Sequence, residues 1–581
     1  MSRPLRETWK ANVLFAVLML AVVALVVRLA LLIRTERDWG TKLARGQELA
    51  SFPIPARAGS IYALAGRRYV PLATSRQVPS CYADPSLMGG NDADRTKTAI
   101  RVGEALGLDP IRVYQELVRR DDSRFLWLKR DLTDREAEAI RALGHRAVRI
   151  QPEWKRVYPN EDLAATVVGF RRVDGVPGGG LELTHDAHLE ARDGKNTVLV
   201  DACRRPLWPL VDESRIPRDG RHLLLHLDAV IQEYLQKAVT ESCVRYEAKW
   251  GTGVVVDPQT GAILAMCSVP SFNPNRYSDA DADRRTNRAV SCPFEPGSVA
   301  KPIFAAAAVD AGLLSWDTKI FCENGSYRAP RGGTIRDHHP YGWLPLTDVV
   351  VHSSNIGMAK VGEMVGNKTL HEVARRFGFG RRTGVELPGE SPGIIRPLPK
   401  WDGYSLRRVP FGQEISVTSL QLAMAYCSLA NGGLLLEPRI VDRITDPNGQ
   451  TVWKGERKVV RRVLSPAAAS QALDVLRQVV ERGTGKPSRL RHWTSVGKTG
   501  TAEIAGPGGY VEGAYVGSFV GGAPAEKPAV LCLISIYWPD ATKGYYGGKV
   551  AAPYVKEVLA KTLTYLDVPP DRDVTFASAG R

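Results

Sequence analysis

The longest apolar segment of the chain lies near its N-terminus. Residues 11–33 contain one charged side chain, Arg28. At 1.5 Å per residue this segment is long enough to cross a bilayer as a helix, and Arg28 can extend toward the far interface. The flank before the segment is net positive and the flank after it is balanced, so we expect residues 1–10 in the cytoplasm and the chain after Ile33 outside. A cleaved signal peptide and a buried core helix are the alternatives, but no small-x-small site closes the segment.

The hydrophobic pattern changes near residue 220. Residues 34–215 are polar and mixed, with helical spacing around 96–120 and 133–144. After 220 the pattern predicts a strand, a helix, a β-hairpin, a long and mostly helical insertion, three strands and a terminal helix. An antiparallel sheet covered by helices, in an α+β fold, accommodates this order. The predicted strands after 220 cover 223–228, 253–256, 262–269, 494–504, 514–521 and 529–538, and the predicted flanking helices cover 229–249 and 549–564.

Composition and charge narrow the possible partners. A chain of 581 residues is expected to form two to four domains, and its net charge of +16 favours an anionic neighbour such as a membrane surface. Nucleic acid is disfavoured because no arginine-rich arm or zinc-finger spacing occurs. The eight cysteines form no C-x-x-C pair, and His185 and His188 lack a third ligand nearby, so we predict no metal site and no cofactor.

Ser298 stands at the start of a predicted helix. Gly297 breaks the loop before it, the helix-favouring run 305–309 follows it, and Pro302 is tolerated only near the first turn. Positions i and i+3 share a helix face, so we expect Ser298 Oγ and Lys301 Nζ to meet. Taken alone, an S-x-x-K sequence most often marks an exposed serine and lysine at a helix start.

Two further motifs decide between these interpretations. Ser353-Ser354-Asn355 has the form S-x-N on a predicted loop, and Lys498-Thr499-Gly500 has the form K-T-G on a predicted strand. S-x-x-K also occurs at Ser495 and S-x-N at Ser271. Side chains at i and i+3 of a strand point to opposite faces, so Lys498 cannot serve Ser495. Only the order Ser298, Ser353, Lys498 combines a helix start, a loop and an edge strand.

Together the three motifs are the signature of penicillin-binding proteins and class A β-lactamases. The chain resembles a class B penicillin-binding protein, a bacterial peptidoglycan D,D-transpeptidase, over nearly everything after the first ten residues. The stretch from Gly332 to Asp337, followed by Ser353-Ser354-Asn355, looks like the septal subgroup, which acts in cell division. Other stretches that carry the resemblance are Asp257-Pro258-Gln259-Thr260-Gly261, Glu295-Pro296-Gly297-Ser298, Phe377-Gly378-Phe379-Gly380, Ala430-Asn431-Gly432-Gly433, Arg156-Val157-Tyr158-Pro159 and Gly180-Leu181-Glu182.

The resemblance implies a penicillin-binding transpeptidase fold. This fold has a five-stranded antiparallel sheet flanked by helices, a helical subdomain and an elongated pedestal domain behind one transmembrane helix. The implied domains are a cytoplasmic tail at 1–10, a transmembrane anchor at 11–33, a pedestal at 34–215, a transpeptidase domain at 216–568 and a tail at 569–581. The resemblance places the anchor in the bacterial cytoplasmic membrane and the catalytic domain outside it.

The resemblance also implies residue roles. Ser298 attacks the carbonyl between the terminal D-alanines of a stem peptide, and Lys301 acts as its base. Ser353 relays a proton to the leaving amine with help from Lys498, and Asn355 orients the substrate amide. Lys498, Thr499 and Thr501 receive the terminal carboxylate, Gly500 allows close approach of the substrate, and the N–H groups of Ser298 and Thr501 form the oxyanion hole.

Alternatives and partners remain open at this point. A D,D-carboxypeptidase or β-lactamase differs only in letting water deacylate Ser298, and a penicillin sensor or scaffold lacks activity. The resemblance implies β-lactams as inhibitors, and peptidoglycan stem peptides on lipid-linked glycan strands as substrates. It also implies a SEDS-family membrane glycosyltransferase, with other division proteins, as partners, because the chain shows no polymerase domain of its own.

Overall fold

The structure is a computed structural model that describes residues 5–88, 92–201, 206–210, 212, 214–330, 333–506 and 508–572. The beginning of the predicted cytoplasmic tail, Gly332 and most of the predicted C-terminal tail lie outside the described residues. The helices in the described residues, α1 to α18, are in chain order Leu5–Glu48, Asp92–Leu106, Pro110–Arg119, Asp134–Leu143, Ala165–Val168, Gly180–Thr184, Asp186–Leu189, Ala229–Arg245, Arg288–Ser291, Lys301–Asp310, Leu346–Val351, Asn355–Val365, Asn367–Arg376, Gly403–Arg408, Ser419–Ala430, Pro466–Glu481, Gly547–Val550 and Ala552–Tyr565.

The strands of the described residues, β1 to β23, are also numbered in chain order. They are Leu49–Ile54, Ile61–Ala65, Arg68–Ala83, Leu126–Lys129, Val148–Val157, Gly194–Val200, Pro206–Pro209, His222–Asp228, Trp250–Val256, Ile263–Val269, Lys319–Phe321, Ser326–Ala329, Gly333–Arg336, Trp343–Pro345, Ile394–Ile395, Ile415–Ser416, Leu434–Leu436, Val441–Thr445, Thr451–Lys454, Val459–Arg462, Val496–Gly506, Gly509–Ala523 and Val530–Tyr537.

The chain divides into two compact units. One unit contains residues 1–57 and 191–219, with the apolar helix α1 and the three-stranded sheet β1-β6-β7. The segment Thr8–Thr35 of α1 is 28 residues long and apolar enough to cross a membrane, as predicted for 11–33. The other unit contains residues 58–190 and 220–581. The predicted domain bounds at 34–215 and 216–568 therefore stay a prediction.

Two large sheets form the centre of the second unit, which also contains four two-stranded sheets among its described residues. The five-stranded sheet is antiparallel throughout and has the order β10-β9-β23-β22-β21, with β21 at an edge. Helices α8 and α18 pack on one face through Leu235, Val239 and Val558, and the fully buried helix α15 packs on the other. This arrangement follows from the sequence, because strands that are apolar on both sides need cover on both faces.

The second sheet connects the two sequence segments of this unit. In it β2 pairs in parallel with β8, and β18 pairs with β8 on the other side.

A buried ion network beside β5 joins two of the stretches that carried the resemblance. Glu182 is fully buried and accepts from Arg156 Nε at 2.7 Å and from Arg171 Nε at 2.6 Å. A buried carboxylate of this kind is tolerable only because both of its oxygens are paired.

The segment 96–120, which has helical spacing in the sequence, contains a break. It forms two helices, α2 and α3. Gly107 between them has φ +64°, and Asp109 caps α3 by accepting a hydrogen bond from Ile111 N. A left-handed glycine followed by a capping aspartate ends one helix and starts the next, and the apolar spacing alone conceals this break.

Candidate active site

Ser298 lies in a tight turn that leads into helix α10. A 3-10 turn covers Gly297–Ala300, and the α-helix begins at Lys301, one turn later than the sequence predicts. Gly297 has φ +55°, and a Cβ there would lie 2.9 Å from the carbonyl oxygen of Thr501. Glycine is therefore required at this position both by conformation and by space. The turn holds the partly exposed Ser298 against strand β21.

Lys301 is completely buried at the start of α10. Its Nζ donates to the carbonyl oxygen of Ser353 at 2.5 Å and to Asn355 Oδ1 at 2.8 Å, and it lies 3.3 Å from Ser353 Oγ. The expected contact between Ser298 Oγ and Lys301 Nζ is not among the hydrogen bonds of the described residues. Three acceptors from the S-x-N segment instead satisfy the ammonium group, as burial of a lysine demands.

The S-x-N segment forms the turn before helix α12. Ser353 has φ +61°, an uncommon conformation for a residue with a Cβ, and Asn355 is the first residue of the helix. Ser354 is the N-cap of α12 and accepts a hydrogen bond from Gly357 N at 2.9 Å. The cap fixes the backbone of the turn, so the side chains of Ser353 and Asn355 both reach Lys301.

Lys498 reaches the same hydroxyl from the edge strand. Its side chain is completely buried, and Nζ donates to Ser353 Oγ at 2.9 Å and to the carbonyl oxygen of Thr499 at 3.1 Å. The structure thus brings together Lys301, Ser353, Asn355 and Lys498, which lie far apart in the sequence. Ser353 Oγ is the point where the two lysines meet.

Burial disfavours the charged form of both lysines. It lowers the pKa of Lys301 to about 7, although the carboxylate of Asp337 acts in the opposite direction. Burial, and next the charge of Lys301, hold the pKa of Lys498 well below its usual range. Both effects disfavour the charged form of Lys498.

The rest of β21 carries the other predicted residues. Thr499 Oγ1 lies 2.8 Å from Thr484 Oγ1, and Thr501 Oγ1 accepts a hydrogen bond from Gly547 N at 3.2 Å. Because the Thr501 oxygen already accepts a bond, its own proton is available for an anion at the strand edge. A Cβ at Gly500 would lie 2.4 Å from Val299 Cγ2, so this glycine allows the Ser298 turn to lie close to the strand.

Asp337 is a site residue to which the sequence reasoning assigned no role. Its Oδ2 accepts from Ser354 Oγ, and its Oδ1 accepts from the N–H groups of Asn355 and Ile356, with distances of 2.5, 2.5 and 3.1 Å. The carboxylate therefore sits at the N-terminus of α12, where the helix dipole favours a negative charge. It belonged to a quoted stretch, but only its contacts identify it as a residue that holds S-x-N in place.

The competing candidates from the sequence have other environments. Ser495 is 1% exposed and its hydroxyl has no hydrogen-bond partner among the described residues, so it is inaccessible to a substrate. His185 and His188 lie with ring centroids 6.1 Å apart. Within the part of the chain that the structure describes, no group of three His, Cys, Asp or Glu side chains is placed to hold a metal ion.

The comparison with known families agrees with the arrangement of these motifs. Residues 251–560 match the penicillin-binding protein transpeptidase domain, and residues 53–225 match the penicillin-binding protein dimerisation domain. The chain belongs to the class B penicillin-binding proteins. The expected family and fold class are thereby confirmed, and with the apolar segment Thr8–Thr35 this penicillin-binding protein has the organisation of a single-pass membrane protein.

Named relatives and solved structures extend over almost the whole penicillin-binding protein. It is 31% identical over 527 residues to the probable peptidoglycan D,D-transpeptidase PenA of Neisseria meningitidis, covering 90% of this chain and 87% of that one. It is 28% identical over 569 residues to the peptidoglycan D,D-transpeptidase FtsI of Escherichia coli, covering 97% and 93%. Penicillin binding protein 3 from Mycobacterium tuberculosis, solved in complex with aztreonam, has a TM-score of 0.69 and 28% identity, covering 90% of this chain and 98% of that one.

Proposed function

We propose that this protein is a peptidoglycan D,D-transpeptidase that works through an acyl-enzyme on Ser298. The observation that carries the proposal is the convergence of the buried lysines Lys301 and Lys498 on Ser353 Oγ, beside the turn that presents Ser298. A serine needs a base to become a nucleophile, and a lysine becomes one only when its pKa is depressed by burial or by a like charge. Both conditions hold for this pair.

The proposed reaction has two steps. The neutral amine of Lys301 takes the proton of Ser298, whose oxygen bonds to the carbonyl carbon between the two terminal D-alanines of a stem peptide. The C–N bond breaks, Ser353 relays the proton from Lys301 to the leaving amine, and D-alanine departs. The amine of a second stem peptide then attacks the ester and displaces Ser298. A proton from this amine returns to the Ser298 oxygen, and the new amide bond is the cross-link. Asn355 orients the substrate amide throughout.

Thr499, Gly500 and Thr501 form the proposed substrate edge. The terminal carboxylate accepts hydrogen bonds from the threonine hydroxyls, and its arrival raises the pKa of Lys498 because an opposite charge favours the ammonium form. The backbone N–H groups of Ser298 and Thr501 stabilise the negative charge that develops on the substrate carbonyl oxygen. The open edge of β21 supports binding of the peptide as an additional strand.

Labelling with a fluorescent penicillin tests the proposal. The chain offers its own matched control in Ser495, the serine of the second S-x-x-K sequence. We expect Ser298→Ala to lose the label and Ser495→Ala to keep it. A label that survives Ser298→Ala would place the nucleophile elsewhere. Rapid and continued nitrocefin hydrolysis by the wild type would favour a β-lactamase, and a wild type that takes no label would favour a non-catalytic scaffold.

We also propose that the N-terminus is cytoplasmic, that the catalytic unit is extracytoplasmic and that the protein acts in septal wall synthesis. Orientation rests on the positive flank of the segment 11–33, and the septal role on the stretches 332–337 and 353–355. A reporter that is active only outside the cytoplasmic membrane should be active when it is fused at the C-terminus. A fluorescent fusion should gather at the division site. An even distribution along the lateral wall would contradict the septal role.

A membrane glycosyltransferase of the SEDS family is the proposed partner, because a transpeptidase needs newly made glycan strands. The anchor 11–33 and the pedestal residues are the proposed contact. We expect the partner to co-purify with the full chain and not with residues 34–581. Equal recovery with both chains would exclude a role of the anchor in this contact.

A further inference from the structure

Three arginines that no catalytic step uses lie together where helix α13 ends. Arg375 is in the last turn of α13, Arg381 follows it in an exposed loop, and Arg461 lies on strand β20. Partial desolvation lowers the pKa of Arg375, and the nearby charges of Arg381 and Arg461 lower it further. We call Arg375, Arg381 and Arg461 the arginine cluster.

Main-chain contacts hold two of these guanidinium groups in place. Arg461 Nη1 donates to the carbonyl oxygens of Arg375 and Arg376, both at 3.1 Å, and Arg375 Nη1 donates to the carbonyl oxygen of Gly380 at 2.8 Å. Capping of the helix C-terminus explains one positive charge at this position. It does not explain three, because each added guanidinium repels the others.

No carboxylate of the described residues forms an ion pair with the arginine cluster. Glu390, on the same loop as Arg381, is occupied by the N–H groups of Thr383 and Gly384. Glu437 pairs with Lys458 at 2.6 Å. Three positive charges are thus kept together without compensation, and an external anion would relieve their repulsion.

We propose that the arginine cluster, which lies outside the catalytic motifs, binds carboxylates of the peptidoglycan strand. The proposal rests on the proposed function, since that function identifies the polymer that the protein meets. Guanidinium groups are planar forks that bind carboxylates through two parallel hydrogen bonds, and two members of the cluster are already fixed for such contacts. The site would hold a strand while its stem peptides reach Ser298.

The acidic residues near the cluster favour a wall polymer over a lipid surface. Glu390 and Glu437 lie on the segments next to it, and these acids would oppose a broad anionic membrane surface. A discrete carboxylate on a peptide meets less of this opposing charge than a continuous lipid surface does.

Binding of soluble, uncross-linked glycan strands to the full chain in detergent tests the proposal. The protein is first acylated with a penicillin, so that Ser298 is blocked and only other sites are measured. We expect Arg381→Gln to weaken strand binding about threefold or more, because it removes one charge-assisted contact. The matched control is Arg284→Gln, an exposed arginine outside the cluster, which should bind like the wild type.

Further arms separate the possible sources of binding. Strands whose carboxyl groups are converted to methylamides should bind the wild type at least as weakly as unmodified strands bind Arg381→Gln, because they lose every carboxylate contact. Equal binding of both strands, or of both proteins, would overturn the proposal. A loss of dihexanoylphosphatidylglycerol binding in Arg381→Gln, with strand binding intact, would show a lipid site instead. Penicillin labelling of Arg381→Gln should match the wild type, so a failure of the proposed catalytic function is recognised separately.

Discussion

The side chains of Lys301 and Lys498 are completely buried and share one hydroxyl, so the free energy of charging both is high. Desolvation disfavours each ammonium group, and the two charges repel each other. Asp337 is the carboxylate that favours the charged form of Lys301. Burial therefore favours the neutral amine of Lys301, which is the state that a base requires.

The rate of acylation by penicillin should rise as the pH increases through the pKa of Lys301. The neutral amine is absent well below pH 7 and dominant well above it, because the pKa is lowered to about 7. The second-order rate constant should rise about tenfold per pH unit below pH 7 and then level off. Lys301→Arg should reduce it by about a hundredfold or more, since a guanidinium stays charged. Lys556→Arg, at an exposed position, serves as the control.

Asp337→Asn should shift this pH profile toward lower pH. The carboxylate raises the pKa of Lys301, so its removal lowers that pKa further. The maximal rate should also fall, because Ser354 and the N-terminus of α12 lose their anionic partner. If Asp337 only stabilised the fold, the melting temperature would drop while the midpoint of the profile stayed in place.

Secondary-structure elements determine how close these residues come to one another. The Ser298 turn packs directly on β21, with Val299 against Gly500 and Gly297 against Thr501. The S-x-N turn approaches from the other side through the cap of α12. Each motif lies at the end or the edge of an element whose interior is buried, so a rigid core supports a site that faces solvent.

Gly500→Ala should abolish acylation while leaving most of the fold intact. The new Cβ would lie 2.4 Å from Val299 Cγ2, which forces the Ser298 turn away from the strand. The rate of penicillin labelling should drop steeply and the melting temperature only slightly. Adding Val299→Ala removes the clashing methyl group, so the double variant should label faster than Gly500→Ala alone. If the double variant instead labels more slowly than Gly500→Ala, by the loss that Val299→Ala causes alone, the clash is not the cause.

Local sequence signals predicted the elements that carry the motifs. Apolar alternation located β21 to β23, and Gly297 with Pro302 located the start of α10 to within one turn. They could not predict the partners of Lys301, since Ser353 and Asn355 are 52 and 54 residues away and are brought near by packing. Asp337 was missed for the same reason, because its partners only become neighbours when α12 is capped. The pKa of a buried lysine likewise depends on the whole surrounding core.

At the scale of the whole molecule, the complete candidate site belongs to one compact unit. All eight proposed site residues lie within 220–581, and the apolar helix lies in the other unit. The proposed site residues are Ser298, Lys301, Ser353, Asn355, Lys498, Thr499, Gly500 and Thr501. Chemistry and membrane attachment are therefore carried by different parts of the chain.

A chain of residues 36–581 should be recovered without detergent and should still react with penicillin at the wild-type rate. The removed segment contains the membrane-crossing stretch Thr8–Thr35 and no site residue. Comparison of labelling rates for the full and shortened chains is the measurement. A much slower reaction of a shortened chain that melts at the normal temperature would mean that the removed helix takes part in forming the site.

Formation of a cross-link is the most direct test of the central claim. The measurement incubates the full chain with a stem peptide that ends in D-Ala-D-Ala and an amine-bearing acceptor peptide, and follows the products by mass spectrometry. We predict release of D-alanine together with a cross-linked dimer, both lost in Ser298→Ala. A product that is only the shortened, hydrolysed donor, or a dimer that persists in Ser298→Ala, would contradict transpeptidation through Ser298.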